Sequence, residues 1–129
     1  MRKAFAALAY LLVFIVVAQF VFAATGAFST APHEESFGPH HALGYVIFIV
    51  PLVMMIPAAL ARVPGRIYGL AALVAGLTGL QVVIAELAKS YSGSTAGEIV
   101  SGLHAVSGLA ILAVAGMIAR QARRITRAS

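Results

Sequence analysis

Polar residues gather along this chain in short clusters that separate four long apolar runs, 4–24, 39–61, 67–88 and 99–119. Each run has the roughly 20 residues that a helix needs to cross a bilayer. None alternates apolar and polar positions as a barrel strand does, and in lipid a helix is the remaining way to satisfy every backbone group. The pattern predicts an all-α membrane protein, a four-transmembrane-helix bundle in one domain spanning 1–129, with short connections making successive helices antiparallel neighbours. Pro51 and Pro57 interrupt the second run and predict kinks. Ser36 is the candidate N-cap of that run, with Pro39 tolerated in its first turn.

Composition agrees with this pattern. The 129 residues are 61% hydrophobic and 10% charged, against about 25% charged in a soluble domain. Cysteine is absent, which excludes disulfides and thiolate chemistry. The net charge of +5 is spread over the ends and one short loop, without a basic face bearing aromatics, so nucleic acid is not an expected partner. Eight of the nine basic residues (Arg2, Lys3, Arg62, Arg66, Arg120, Arg123, Arg124 and Arg127) flank the same side of the four runs, and Lys89 alone falls on the other. Glu34, Glu35, Glu86 and Glu98 lie at or near that second side. By the positive-inside rule both termini are cytoplasmic, in a multi-pass protein of the plasma membrane. Arg2-Lys3, the first run and Val21-Phe22-Ala23 imitate a cleavable secretory signal. The run exceeds the usual apolar core of about 7–15 residues, and the reading adopted is a retained span.

The first and third runs start on the same side, and their contents match. Gln19-Phe20-Val21-Phe22-Ala23 aligns with Gln81-Val82-Val83-Ile84-Ala85, and His41-Ala42 with His104-Ala105. Glutamine precedes histidine by 22 positions in the first half (41 − 19) and 23 in the second (104 − 81). Two parallel helix-pair repeats, related by an axis along the membrane normal, follow from this reading. At about 1.5 Å per residue, all four polar residues sit roughly 7–12 Å inside the outer ends of their helices. Gly44 follows His41 by three positions and Gly108 follows His104 by four, so each shares the histidine face and leaves room for a flat ligand or a close helix. Gly65/Gly69, Ala72/Gly76 and Ala75/Gly79 form small-xxx-small pairs on the third run, read as helix packing or dimerisation.

Ionisable residues inside a membrane are functional candidates by default. The plain alternative is that each imidazole only bonds a neighbouring helix. Neutral imidazole is a common metal ligand, haem iron accepts two opposed histidines, and an apolar bundle gives the porphyrin a dry flank. His41 and His104 are therefore the candidate axial ligands of a haem b. Gln19 and Gln81 are candidates to meet its propionates or orient the histidines, and Gly44 and Gly108 to make space for it. His40, about 100° around the helix from His41, is the spare ligand. His33, Glu34, Glu35 and His40 contain zinc-type donors without a recognised spacing, and a solvated acidic loop is the simpler reading. Glu86 and Lys89 form an i,i+3 pair at a helix end. No Ser-His-Asp set, phosphate loop or paired catalytic carboxylates can be assembled, so enzymatic activity is not expected.

The Gln/His pairs in four spans resemble a family of small, uncharacterised four-helix membrane proteins. The placing of His41 and His104 on the second and fourth helices also resembles one half-bundle of haem A synthase, a cytochrome-b-like frame. That resemblance implies a haem held by His41 and His104 near the outer face. Gly38 stands where haem A synthase has an acidic residue, the outer-loop cysteine pair is absent, and the second half-bundle is missing unless a homodimer restores it. The resemblance thus implies haem binding rather than oxidation of a haem methyl. The expected function is a bis-histidine haem b protein in electron transfer or haem sensing, in the lipid bilayer, as a homodimer or part of a membrane redox complex. The alternatives are a small transporter or channel using the same polar cluster as a path, and a structural subunit using it for interhelical contacts.

Overall fold

The computed structural model describes residues 1–127. Five helices follow in order: α1 (Arg2–Ala27), the one-turn α2 (His33–Ser36), α3 (Gly38–Leu60), α4 (Arg66–Ser90) and α5 (Thr95–Arg127). All but α2 are long and apolar enough to cross a membrane, with mean hydropathy between 1.9 and 2.6. The chain is a multi-pass, all-helical membrane protein. The four long helices form a closed ring, α1 packing on α3 and α5, and α4 on the same two. The diagonal pairs, α1 with α4 and α3 with α5, make no close backbone approach and meet only through side chains in the centre.

The helices outrun the apolar runs that predict them, most of all in α5. Ser94 caps its start, accepting a hydrogen bond from the Gly97 N–H at 3.2 Å, so the helix begins about one turn early. It continues about two turns past the apolar run because Gln121, Ala122, Arg123 and Arg124 are good helix formers. At 33 residues it is about 50 Å long against a hydrocarbon core of about 30 Å, so part of it reaches past the apolar layer. Ser36 does not cap α3. Its hydroxyl donates backward to the carbonyls of Ala31 (2.9 Å) and Pro32 (3.0 Å), closing α2, and the cap position falls to Phe37 without a side-chain bond. The chain stays helical through Pro51 and Pro57, which leave the carbonyls of Ile47 and Val53 without their usual i+4 donors.

Packing is confined to one half of the bundle. Phe5, Ala9 and Leu12 of α1, Met54 and Ala58 of α3, Ile67 and Val74 of α4, and Ala115 and Ile118 of α5 are buried together, all toward the arginine end. Gly65, Gly69, Gly76 and Gly79 take no part: a Cβ on any of them would meet nothing within 4 Å. The expected use of these glycines in packing between the four helices is therefore not found, and on α4 Ala71 and Ala75 are buried instead. Apolar side chains such as Phe14, Ile56, Val82 and Val106 point outward, as a lipid-facing surface requires.

The end of α3 is a Schellman motif built without glycine. The Arg62 N–H donates to the Ala59 carbonyl (3.0 Å) and the Val63 N–H to the Ala58 carbonyl (3.1 Å), with Val63 and Ala58 both buried as that motif's apolar contact requires. Arg62 holds φ at 52°, a left-handed conformation that disfavours any side chain with a Cβ by about 1–2 kcal/mol. Arg62→Gly should therefore raise the free energy of unfolding by about 1 kcal/mol, measured as a shift to higher detergent in an SDS unfolding titration of the purified protein. An unmoved or lowered midpoint would mean that the arginine contributes more than its backbone strain removes.

Candidate functional site

Away from the arginine end the packing stops at a common level. Val16 and Thr78 are the last core residues of α1 and α4, and Ile47 and Ile111 the first of α3 and α5. These four form the floor of a cleft of about 1760 Å³ between the parted helices. Every residue singled out from the sequence lines it: Gln19, His40, His41, Gly44, Gln81, His104 and Gly108.

Two hydrogen bonds of the same form cross between helices there. Gln19 Nε2 donates to the His40 carbonyl at 2.9 Å, tying α1 to α3. Gln81 Nε2 donates to the His104 carbonyl at 3.1 Å, tying α4 to α5. Sequence separations are 21 and 23. Inside a helix the carbonyl of residue i already accepts from the N–H of residue i+4, so the glutamine must reach its second lone pair past that residue. In both places the i+4 residue is glycine. A Cβ on Gly44 would lie 3.5 Å from Gln19 Nε2, and one on Gly108 would lie 3.4 Å from both Gln81 Nε2 and the Phe20 ring. The two glycines thus leave the amides a path to the backbone.

This register sets His40, rather than His41, opposite His104. The His40 and His104 rings are 6.1 Å apart, centre to centre, at 51°, and they come from diagonally opposed helices. The His40 Nδ1 is 3.3 Å from the Gln19 carbonyl. A carbonyl only accepts, so this contact calls for the proton on Nδ1 and leaves the lone pair on Nε2, the arrangement of a metal-ligating histidine. The His41 ring lies 6.0 Å from that of His40 and 6.5 Å from that of Phe37, on the exposed side. The sequence signal for His40 is the glycine four places on, His40–Gly44 beside His104–Gly108. The identity of His41-Ala42 with His104-Ala105 pulls the alignment off by one residue.

The glutamines address backbone, and each donates its amide to a histidine carbonyl. Their Oε1 atoms remain over, both buried and without a partner, as do His104 Nδ1 and Ser107 Oγ. A buried polar atom left unmatched is costly, which marks this end of the bundle as the candidate site. Access to it is framed by the 28–37 segment. Gly26 lets that segment fold across the end of α1, since a Cβ there would lie 3.0 Å from both the Phe37 ring and the Ser36 carbonyl. His33 stacks on Phe37 at 4.6 Å, and among the described residues no three His, Cys, Asp or Glu side chains gather as a metal site. Glu86 and Lys89 pair at 2.7 Å, both well exposed.

The glycine argument has a direct test on α5. Gly108→Val should push the Gln81 amide off the His104 carbonyl and destabilise the protein by about 1–3 kcal/mol in an SDS titration. Gly116→Ala, on the same helix with open space around it, should be neutral or stabilising by up to about 1 kcal/mol. Equal effects of the two would reduce Gly108 to a matter of helix propensity.

Residues 19–89 match a family described as a family of unknown function, DUF6220. The matched segment holds Gln19, His40, Gly44 and Gln81 and stops before α5. No curated protein matches the chain, and no solved structure does. Because the match covers more than half of its length, the chain belongs to the DUF6220 family.

Proposed function

We propose that this protein binds haem b in the cleft, with His104 on one face of the tetrapyrrole and His40 on the other. The observation that carries this reading is the 6.1 Å separation of the two rings across the bundle. A metal–nitrogen bond of about 2.0 Å on each side, lengthened by the distance from nitrogen to ring centre, brings two axial imidazole centres to about 6 Å. His41, the ligand chosen on sequence grounds, is the alternative on α3. Val16, Ile47, Thr78 and Ile111 close the floor against water. Gln19 and Gln81 hold the backbone of each ligating residue, and Gly44 and Gly108 keep that hold short. A haem held by these two histidines would supply one-electron chemistry. Electron transfer or haem sensing, alone as a homodimer or within a membrane redox complex, follows as the role. The matching Gln–His bonds support two parallel helix-pair repeats, and the eight basic residues at one end support cytoplasmic termini in the plasma membrane.

A second reading has an observation of its own. The four unpartnered buried atoms at this end suit a hydrated path through a small transporter or channel. One measurement separates the two: the reduced-minus-oxidised absorption spectrum of protein purified from haem-replete cells. A b-type spectrum is expected, lost in His104→Ala and in His40→Ala but unchanged in His33→Ala. A spectrum lost in His41→Ala and kept in His40→Ala would move the ligand by one residue. A colourless preparation would sink the haem reading in favour of the path.

A further inference from the structure

At the opposite end from the cleft, Arg66, Met117, Arg120, Gln121 and Arg124 line a second hollow of about 220 Å³. Arg120 and Arg124 stand one turn apart on α5, and Arg66 is the first residue of α4. Three guanidinium groups thus share one small hollow. None of them has an ion-pair or hydrogen-bond partner among the described residues; the one ion pair there, Lys89–Glu86, lies at the other end. The acidic side chains offer no relief, since Glu34, Glu35, Glu86 and Glu98 all belong to the cleft end. Like charges held together this way repel one another unless an anion joins them.

A separate feature of α4 points the same way. The helix starts at Gly65 with no side-chain cap, and its first N–H groups bond only the Pro64 and Gly65 carbonyls. Arg66 adds a positive charge there, where an acidic residue is favoured. An oxyanion in the hollow relieves the repulsion among the three arginines and offsets the positive charge that Arg66 adds at the helix start. Arginine is suited to this because its planar fork matches two phosphate oxygens at once. The hollow also lies where the apolar surface of α4 and α5 gives way to charge, which is the depth of lipid headgroups.

We infer that this hollow is a binding site for a phosphate group, presented by the headgroup of an anionic phospholipid lying against α4 and α5. The inference does not depend on the haem proposal. Its test uses the full chain in nanodiscs of mixed phosphatidylglycerol and phosphatidylcholine, with bound lipid counted by native mass spectrometry after release. Wild type should retain phosphatidylglycerol over phosphatidylcholine. Arg66→Gln, Arg120→Gln and Arg124→Gln should each weaken retention by about tenfold, and the triple variant should abolish it. A matched control with Arg2→Gln, Arg123→Gln and Arg127→Gln removes the same charge from outside the hollow and should retain the lipid. The single variants keep the test open if the triple one does not fold. Equal loss in the control would overturn the site in favour of general charge attraction. Displacement of the lipid by millimolar inorganic phosphate would overturn the lipid as its source, and unchanged retention in the single variants would overturn the site itself.

Discussion

A glutamine side chain inside a bilayer has no water to turn to, and the shape of this bundle's open end follows from where its two glutamines find acceptors. Each takes the second lone pair of a histidine carbonyl on the next helix. The bond is modest in free energy, about 1 kcal/mol between membrane helices, yet it is directional where van der Waals packing is not. It sets the rotation of α3 against α1 and of α5 against α4. That rotation decides which histidine faces inward. The small residue four positions later is part of the same device, since a side chain reaching beyond a methyl would stand in the amide's way.

The division of the molecule into a packed half and an open half gives the two ends different tasks. Near the arginines, Leu12, Met54, Ile67 and Ile118 are fully enclosed, and the helices are fixed by interdigitation. Association in lipid depends on such packing because the tails compete for apolar contact on equal terms. Toward the acidic end no comparable layer exists, and polar bonds replace it. Buried acceptors without partners are tolerated there because the rigid half holds the frame. Stability and binding capacity are thereby separated along the bundle axis.

Much of this was legible in the residues. Four apolar runs between charged clusters locate the four membrane helices, three of them to within a few residues and α5 short by about two turns at its end, because lipid permits so few backbone solutions. Gln19, Gln81 and His104 stand out for the same reason, as polar groups where polarity is penalised. The boundaries were harder. Ser36 offered a plausible cap, but a one-turn helix just before it claims its hydroxyl, and such a turn has no apolar periodicity to announce it. His40 and His41 are equivalent by composition and differ only by a rotation of about 100° on the helix. That rotation is decided by a tertiary hydrogen bond which a local pattern does not contain. Gly69 and Gly76 of α4 read as contact positions yet face outward, since spacing identifies a stripe of small residues without saying which way it turns.

The ring of contacts around the bundle has a mechanical side. His40 and His104 stand on α3 and α5, whose backbones make no close approach, each about two turns, or 10 Å, beyond Ile47 or Ile111. The distance between the rings is thus governed by the tilt of two levers pivoting at Ile47 and Ile111. A tilt of a few degrees at the floor becomes a movement of the order of an ångström at the imidazoles, comparable to half a metal–nitrogen bond of about 2 Å. The packed floor thus sets the gap between the two rings.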